Sequence, residues 1–490
     1  MNKHFHNHFS GGFFLLVFTL VSACSSARPT YIIPASSETA VEALPSATPF
    51  DQRPVYEPGT LVDYIAQSGD TLPLLAVRFG TSEAEIRFSN PEIPPDATTL
   101  PPGFPMKMPI YYKPLWGTSF QMLPDAAFVY GPDCQDFDLK AFLEMTPGWF
   151  KNYGTVIQGK YRDAAGVITY YAENYSLNPK LLLALIEFQT GALSNPQREP
   201  KNEDAFLGFA NDHPGVYLQI SYVSDLLNDG YYRYRMGELT SITRQSGQIE
   251  NIDPWQNAAS VALQEYFSRL LDGEEYLRAI GPDGLAKTFR ALFGDPWRRN
   301  TTVLPGSLTQ PEFILPFSPG TVWAYTGGPH SSWGDLKPWG AVDFAPPLPT
   351  QGCVETEQFA LAVADGIIAR TDDGTVILDL DGDGDERTGW NILYLHIAAE
   401  GRVRVGTIVK QGDPIGHPSC EGGRATGTHV HLARKFNGEW ISAADPVLPF
   451  NLEGWIPVEG GVAYQGTLVR AGRVVRASTN SGPESMIPAD

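Results

Sequence analysis

Three rhythms of apolar residues succeed one another along the chain. Between Leu61 and Ile110, a strand-like start at Tyr64-Ile65-Ala66 runs into a Gly69-Asp70 turn, after which Leu72, Leu75, Ala76 and Phe79 recur at helical spacing. Gly80 closes that helix, Thr81 or Ser82 caps the next, Ile86 precedes Asn90, and Met108-Pro109-Ile110 returns as an edge strand. A small βααβ module over 61–112 is the expectation. From 140 to 300 the repeat is mainly helical: Ile168 to Gly191 reads as two helices joined at Ser176-Leu177-Asn178-Pro179, and Asn257 opens another. After Phe313, short β-branched and aromatic runs split by Gly and Asp, such as Asn391-Ile392-Leu393-Tyr394-Leu395-His396, predict an antiparallel β domain over 313–450 and a β extension over 451–490. The expected fold class is multidomain α+β.

A length of 490 residues agrees with about three such units. The formal charge of −20 repels phosphate backbones and anionic lipid surfaces, so nucleic acid is excluded as a partner. At the start, Lys3 precedes an apolar run from Phe13 to Ala23 that is about half the length a spanning helix needs. Its end, Val21-Ser22-Ala23-Cys24, resembles a bacterial lipobox. That implies a signal peptide over 1–23 and a lipid on Cys24, with an ordinary signal peptide cut nearby as the alternative. Residues 24–60, rich in Pro, Ser and Ala, are expected to be a flexible linker that places the protein outside the cytoplasm on a membrane anchor. In that compartment disulfides persist. Cys353 and Cys420 both flank the segments of candidate chemistry and are paired here, leaving Cys134 over; three buried thiols are the alternative.

Thr428-His429-Val430-His431-Leu432 sets two imidazoles at i and i+2, so on a strand both project from one face. Tyr394 and His396 repeat the spacing and are expected to share a face as well. Asp343 offers a carboxylate, and His330 an imidazole from the loop Gly327-Gly328-Pro329-His330. Two imidazoles and a carboxylate with one open position make a catalytic zinc set, because closed four-ligand sites are the structural kind. These residues resemble the zinc endopeptidases of the lysostaphin and LytM type, whose signatures are an upstream His…Asp, a Tyr-x-His and a His-x-His. The wide separation of His330 from Asp343 is that of the β-lytic and LasA branch; Trp339 stands where most of the family has its first histidine. Over Val322 to Phe450 the resemblance implies His330, Asp343 and His431 as Zn²⁺ ligands, and His396 and His429 as catalytic imidazoles. His429 would pass a proton to the leaving amine, and His396 would steer the water or bind the oxyanion. Tyr394 would contact substrate or pack its strand.

The first module is similar to LysM domains in its Y-x-x-x-x-G-D-T-L start, F-G-T-S turn and terminal G-x-x-M-x-x-P strand. That implies binding of N-acetylglucosamine-containing glycans such as peptidoglycan, with Gly69, Asp70, Thr71 and Asn90 as contacts. The middle domain resembles the goose-lysozyme or lytic-transglycosylase fold, in which a helix ends in a catalytic glutamate. Gln189 holds that place here, an amide cannot donate the proton, and Glu187 points about 200° away on a helix. A glycan-holding domain without catalysis is expected, with an active glycosidase or a plain α spacer as alternatives. Asp379 to Asp385 has the spacing of a calcium loop, but Trp390 stands where an EF-hand needs glutamate, so a hairpin loop is expected, with weak calcium binding as the alternative. Together these features describe a lipid-tethered zinc endopeptidase of peptidoglycan stems or cross-bridges, its rival being a non-hydrolytic wall-binding scaffold.

Overall fold

The structure, a computed structural model, describes residues 53–488 apart from 113–114, 198–205, 210–212 and 300. The expected signal peptide, the lipidation at Cys24 and most of the linker lie outside the described residues. The first unit is β1 (Thr60–Ile65), α1 (Leu72–Phe79), α2 (Glu83–Ser89) and β2 (Pro105–Ile110), with β1 and β2 antiparallel. Its caps follow from local chemistry: Thr71 accepts the Leu74 N–H, Ser82 and Glu85 form a capping box, and Gly80 at φ 67° makes the left-handed turn out of α1. Val62, Tyr64, Met106 and Met108 alternate inward onto Phe79 and Ile86. Order begins ahead of this unit, since Arg53 pairs with Asp253 and Tyr56 packs near Trp116 and Trp255.

The middle of the chain holds α3 (Leu139–Met145), the hairpin β3 (Gly154–Ile157) and β4 (Lys160–Asp163), α4 (Ala164–Tyr175), α5 (Pro179–Thr190) and α6 (Val216–Arg235). It continues through the hairpin β5 (Ser241–Thr243) and β6 (Ile249–Asn251) to α7 (Ala258–Ser268), α8 (Gly273–Ala279) and α9 (Leu285–Phe293). Asn178 caps α5 ahead of Pro179, so the joint between α4 and α5 falls where the Ser-Leu-Asn-Pro run predicts it. Helices α6 and α7 approach closely at Gly230, where a Cβ would come within 3.0 Å of the Ala262 Cα.

The last third is strands: β7 (Val322–His330), β8 (Ala341–Ala345), β9 (Ala360–Leu361), β10 (Gly366–Asp372), β11 (Thr375–Asp379), β12 (Trp390–Leu395), β13 (Ile408–Val409), β14 (Pro414–Gly416), β15 (Val430–Phe436) and β16 (Glu439–Trp440). The β extension adds β17 (Ile456–Glu459), β18 (Gly466–Arg470), β19 (Arg473–Arg476) and β20 (Met486–Pro488). The main antiparallel sheet runs β13-β10-β11-β12-β15-β8-β7-β20, with β16 paired to the end of β15. Its two faces separate by alternation. Val342, Phe344, Leu378, Ile392, Tyr394 and Leu432 enter a core closed by Phe317, Trp323, Phe450 and Trp455. Ala341, Ile377, Leu393, Leu395 and Ala433 point the other way, into the core of the helical unit. One hydrophobic core thus joins helices and sheet across what the sequence pattern reads as a domain boundary, because both faces of the central strands are apolar and each must be covered.

Candidate metal centre

The pairing of β15 with its neighbours sets the site. His431 lies opposite Asp343 on β8 and opposite Leu395 on β12, and the neighbouring strand β7 ends in His330. His330 Nε2 is 2.9 Å from His431 Nδ1, and Asp343 Oδ1 is 3.2 Å and 3.3 Å from those two nitrogens. All three side chains are buried. Each imidazole is oriented by a carbonyl behind it: His330 Nδ1–H donates to Gly328 O at 2.8 Å, and His431 Nε2–H to Ser332 O at 3.1 Å. With both protons directed outward, the two inner nitrogens and Asp343 Oδ1 turn lone pairs toward one another, and Asp343 Oδ1 makes no hydrogen bond.

Lone pairs facing at that range repel unless a cation lies between them. Zinc–nitrogen bonds of 2.0–2.1 Å separate tetrahedral ligand atoms by roughly 3.3 Å, close to the spacings found. The residues therefore fit zinc, with three protein ligands of the catalytic type. Burial pushes the His431 pKa down, keeping the ring neutral and ready to ligate. Burial pushes the Asp343 carboxyl up, but the neighbouring His330 and His429 outweigh it and hold the group well below the usual carboxylate range. Gly327 is required beside it, since a Cβ there would lie 2.3 Å from Asp343 Oδ2.

Two further imidazoles stand next to this cluster. The His429 ring is 4.5 Å from that of His396, and its Nε2 is 3.8 Å from Asp343 Oδ2. His429 Nδ1–H donates to Gly427 O at 2.7 Å and His396 Nδ1–H to Glu421 O at 2.8 Å, so each ring offers a bare Nε2. Burial, then the crowding of His429 and His431 around it, lower the His396 pKa to about 3. The five side chains line an open cleft of about 1170 Å³. Cys353 and Cys420 form a disulfide beside it, and Cys134 is a buried free thiol.

Tyr394 is not in the cleft. It pairs with Leu432, on the sheet face opposite His431, and its buried hydroxyl accepts the Val363 N–H at 2.7 Å. Strand β12 stops at Leu395 and His396 has φ 66°, a left-handed turn that swings its ring off Tyr394's face and toward the metal ligands. The expected common face of Tyr394 and His396 is therefore corrected, and so is a substrate contact at Tyr394.

The proposed glycan contacts of the first unit also have internal partners. Asp70 is fully buried, bonded to Tyr64, Arg78 and the Gln67 N–H; Asn90 bridges Ile86 O and the Lys107 backbone; Thr71 caps α1. A Cβ at Gly69 would meet Arg235 and Leu304. Asp70 and Asn90 are therefore buried on internal partners, while Thr71 stays half-exposed at the start of α1. Glu187 accepts the Leu193 and Ser194 N–H groups at the end of α5, and Gln189 accepts the Tyr266 hydroxyl, so neither is placed as a proton donor. The Asp379–Asp385 segment connects the antiparallel pair β11 and β12, its carboxylates accepting N–H groups of their own loop.

Tyr464, outside every sequence motif, lines the cleft with its ring stacked on His330 at 4.1 Å between centroids. Only the return of the β extension brings it there. The helical unit also reaches the site: Asp225 on α6 accepts the N–H groups of Asp335 and Leu336, in the loop that carries Ser332. Burial raises the Asp225 pKa to about 7 against those two hydrogen bonds. A carboxyl whose folded pKa lies above its unfolded value of about 3.9 adds stability below that value and loses it as pH rises through the folded pKa. The melting temperature should fall between pH 4 and pH 7, and Asp225→Asn should flatten that slope. Identical pH profiles for the two proteins would show that Asp225 is not the group responsible.

The ligand cluster, the two free imidazoles and the cleft define a metalloendopeptidase. Residues 121–306 match the family model described as LasA, N-terminal domain. Two curated relatives, both named Protease LasA, come from Pseudomonas aeruginosa strains UCBPP-PA14 and PAO1. The first is 27% identical over 340 residues, covering 65% of this chain and 75% of the relative. The second is 26% identical over 344 residues with the same coverage. Among solved structures, the M23 metalloprotease pseudoalterin from the deep sea is 24% identical, covering 34% of this chain and 96% of its own, with a TM-score of 0.29. The catalytic domain of the antimicrobial peptidase lysostaphin from Staphylococcus simulans is 23% identical, covering 25% of this chain and 87% of its own, with a TM-score of 0.18.

Proposed function

We propose that the protein is a zinc endopeptidase that hydrolyses peptide stems or cross-bridges of peptidoglycan outside the cytoplasm. The carrying observation is the convergence of His330 Nε2, His431 Nδ1 and Asp343 Oδ1 beside two imidazoles that each leave one nitrogen free, in a cleft open enough for a peptide chain. The Cys353–Cys420 disulfide agrees with an oxidising compartment. Wall targeting belongs to the same reading, and on the βααβ unit it falls to exposed residues such as Phe88, 90% accessible beside the α2 end, rather than to Gly69, Asp70, Thr71 or Asn90. Membrane anchoring would come from a lipid on Cys24.

His330, Asp343 and His431 would hold the zinc, which when bound would supply Lewis acidity to the scissile carbonyl and to the attacking water. His429, its Nδ1–H fixed on Gly427 O, accepts the proton of the attacking water at Nε2 and returns it to the leaving amine. His396 is neutral with its proton on Nδ1, so its Nε2 accepts a hydrogen bond. That state suits it to orienting water and not to donating to an oxyanion. The Tyr464 hydroxyl, kept protonated by burial and by nearby Asp343, is a donor available on the same wall.

Digestion of purified peptidoglycan tests the reading. The zinc-loaded protein should release new amino termini, and His429→Ala should lower the rate by about 10²–10⁴-fold. New reducing or anhydro sugar ends without new amines would replace the peptidase with a glycosidase, and no products at all would leave a scaffold.

A further inference from the structure

One wall of the cleft carries a guanidinium that the peptidase chemistry does not use. Glu421 O receives the His396 Nδ1–H, a Cβ on Gly423 would touch the His396 ring at 3.6 Å, and the next residue, Arg424, reaches across the cleft to Asp335. Its loop is tied down by the Cys353–Cys420 disulfide, and the Asp335 loop by the buried carboxylate of Asp225. Both partners of the ion pair are open to solvent, with side chains 84% and 68% exposed. Among the described residues that line the cleft, Arg424 is the one lysine or arginine, and Asp335 the one carboxylate besides the ligand Asp343. Walls farther along, from Pro346 to Gly352 and from Thr479 to Ser481, carry no charge.

We infer that Arg424 is a specificity-determining residue that receives a free carboxylate carried by the peptide next to the scissile bond. The inference rests on the peptidase reading above and narrows its substrate to carboxylate-bearing stem peptides over glycine cross-bridges. A solvent-exposed ion pair contributes little, so a substrate carboxylate can displace Asp335 at small cost. In exchange it gains the charge-assisted, bidentate contact that a guanidinium fork provides. A glycine bridge has no side-chain carboxylate to offer the guanidinium.

The test measures kcat/KM of the zinc-loaded full chain on cross-linked stem-peptide dimers whose carboxylates are either free or amidated, with pentaglycine as a third substrate. The wild type should favour the free acid over the amide by about tenfold or more. Arg424→Gln should erase that preference, chiefly through KM, and Asp335→Asn should increase it by freeing the guanidinium. An acid-to-amide ratio that is the same in wild type and Arg424→Gln, or a pentaglycine rate above the stem-peptide rate, overturns the assignment while leaving the peptidase intact. Cleavage of none of the three substrates by the wild type would sink the peptidase reading and this inference with it. Because the Arg424 side chain is exposed, an unchanged melting temperature certifies that each variant is folded.

Discussion

Asp343→Ala and His431→Ala should each abolish zinc binding and peptidase activity together. The three ligand atoms lie within 4.8 Å of one another, so each variant removes one of only three protein donors of that cluster. Loss of a partner that merely orients a ligand already costs about 10–100-fold in metal affinity or activity, and loss of a ligand itself must exceed that. Metal analysis of the purified variants, with wild type alongside, reads the first effect, and peptidoglycan digestion the second. Asp343→Ala should also change folding stability, because its removal leaves two imidazoles whose bare nitrogens face each other 2.9 Å apart. A variant that retains a stoichiometric zinc would dismantle the site as described.

The second large effect is structural. Arg235, at the end of α6, lies 2.9 Å from both Asp125 and Glu439, bonds the Tyr231 hydroxyl, and leaves only 7% of its side chain exposed. Burial pushes the Glu439 carboxyl up to about 7 even against the pull of Arg235. Arg235→Met would strand two carboxylates in the seam between helices and sheet, a class of change that costs about 3–5 kcal/mol. Urea unfolding should show a much lower midpoint, and removing the stranded charge as well, in Arg235→Met with Glu439→Gln, should recover part of the loss. Since one core runs through helices and sheet, both parts should melt in a single transition. An unchanged midpoint for Arg235→Met, or a first transition confined to the helices, would contradict this account of the seam.

That seam explains why the helical unit reads poorly from sequence. Read from sequence as lysozyme-like, it is expected to stand apart, and the missing catalytic acid at Gln189 then suggests a domain without catalysis. In the folded chain the unit covers the sheet face that carries His431 and Asp343, and through Asp225 it fixes the loop whose Ser332 carbonyl orients His431. Nothing in the local pattern of 140–300 encodes this, because a helix shows in sequence which stripe is apolar but not which surface the stripe will meet.

What the sequence alone determined was whatever depends on near neighbours. The cap at Ser82 and the joint ahead of Pro179 follow from side-chain bonds spanning two or three residues. The placement of His429 and His431 on one cleft follows from the two-residue period of a strand. Tertiary structure decided the rest. Tyr394 shares the spacing of His396 but not its direction, since the strand ends between them and a positive φ reverses the ring. Asn90 carries the polar look of a contact residue, yet the Lys107 backbone seventeen residues on draws it inward. Tyr464 and the Arg424–Asp335 pair reach the cleft only because distant loops return to it. The physical reason is range: periodicity and capping act within a few residues, whereas the assignment of a face, a partner or an exposed charge depends on what the rest of the chain places against it.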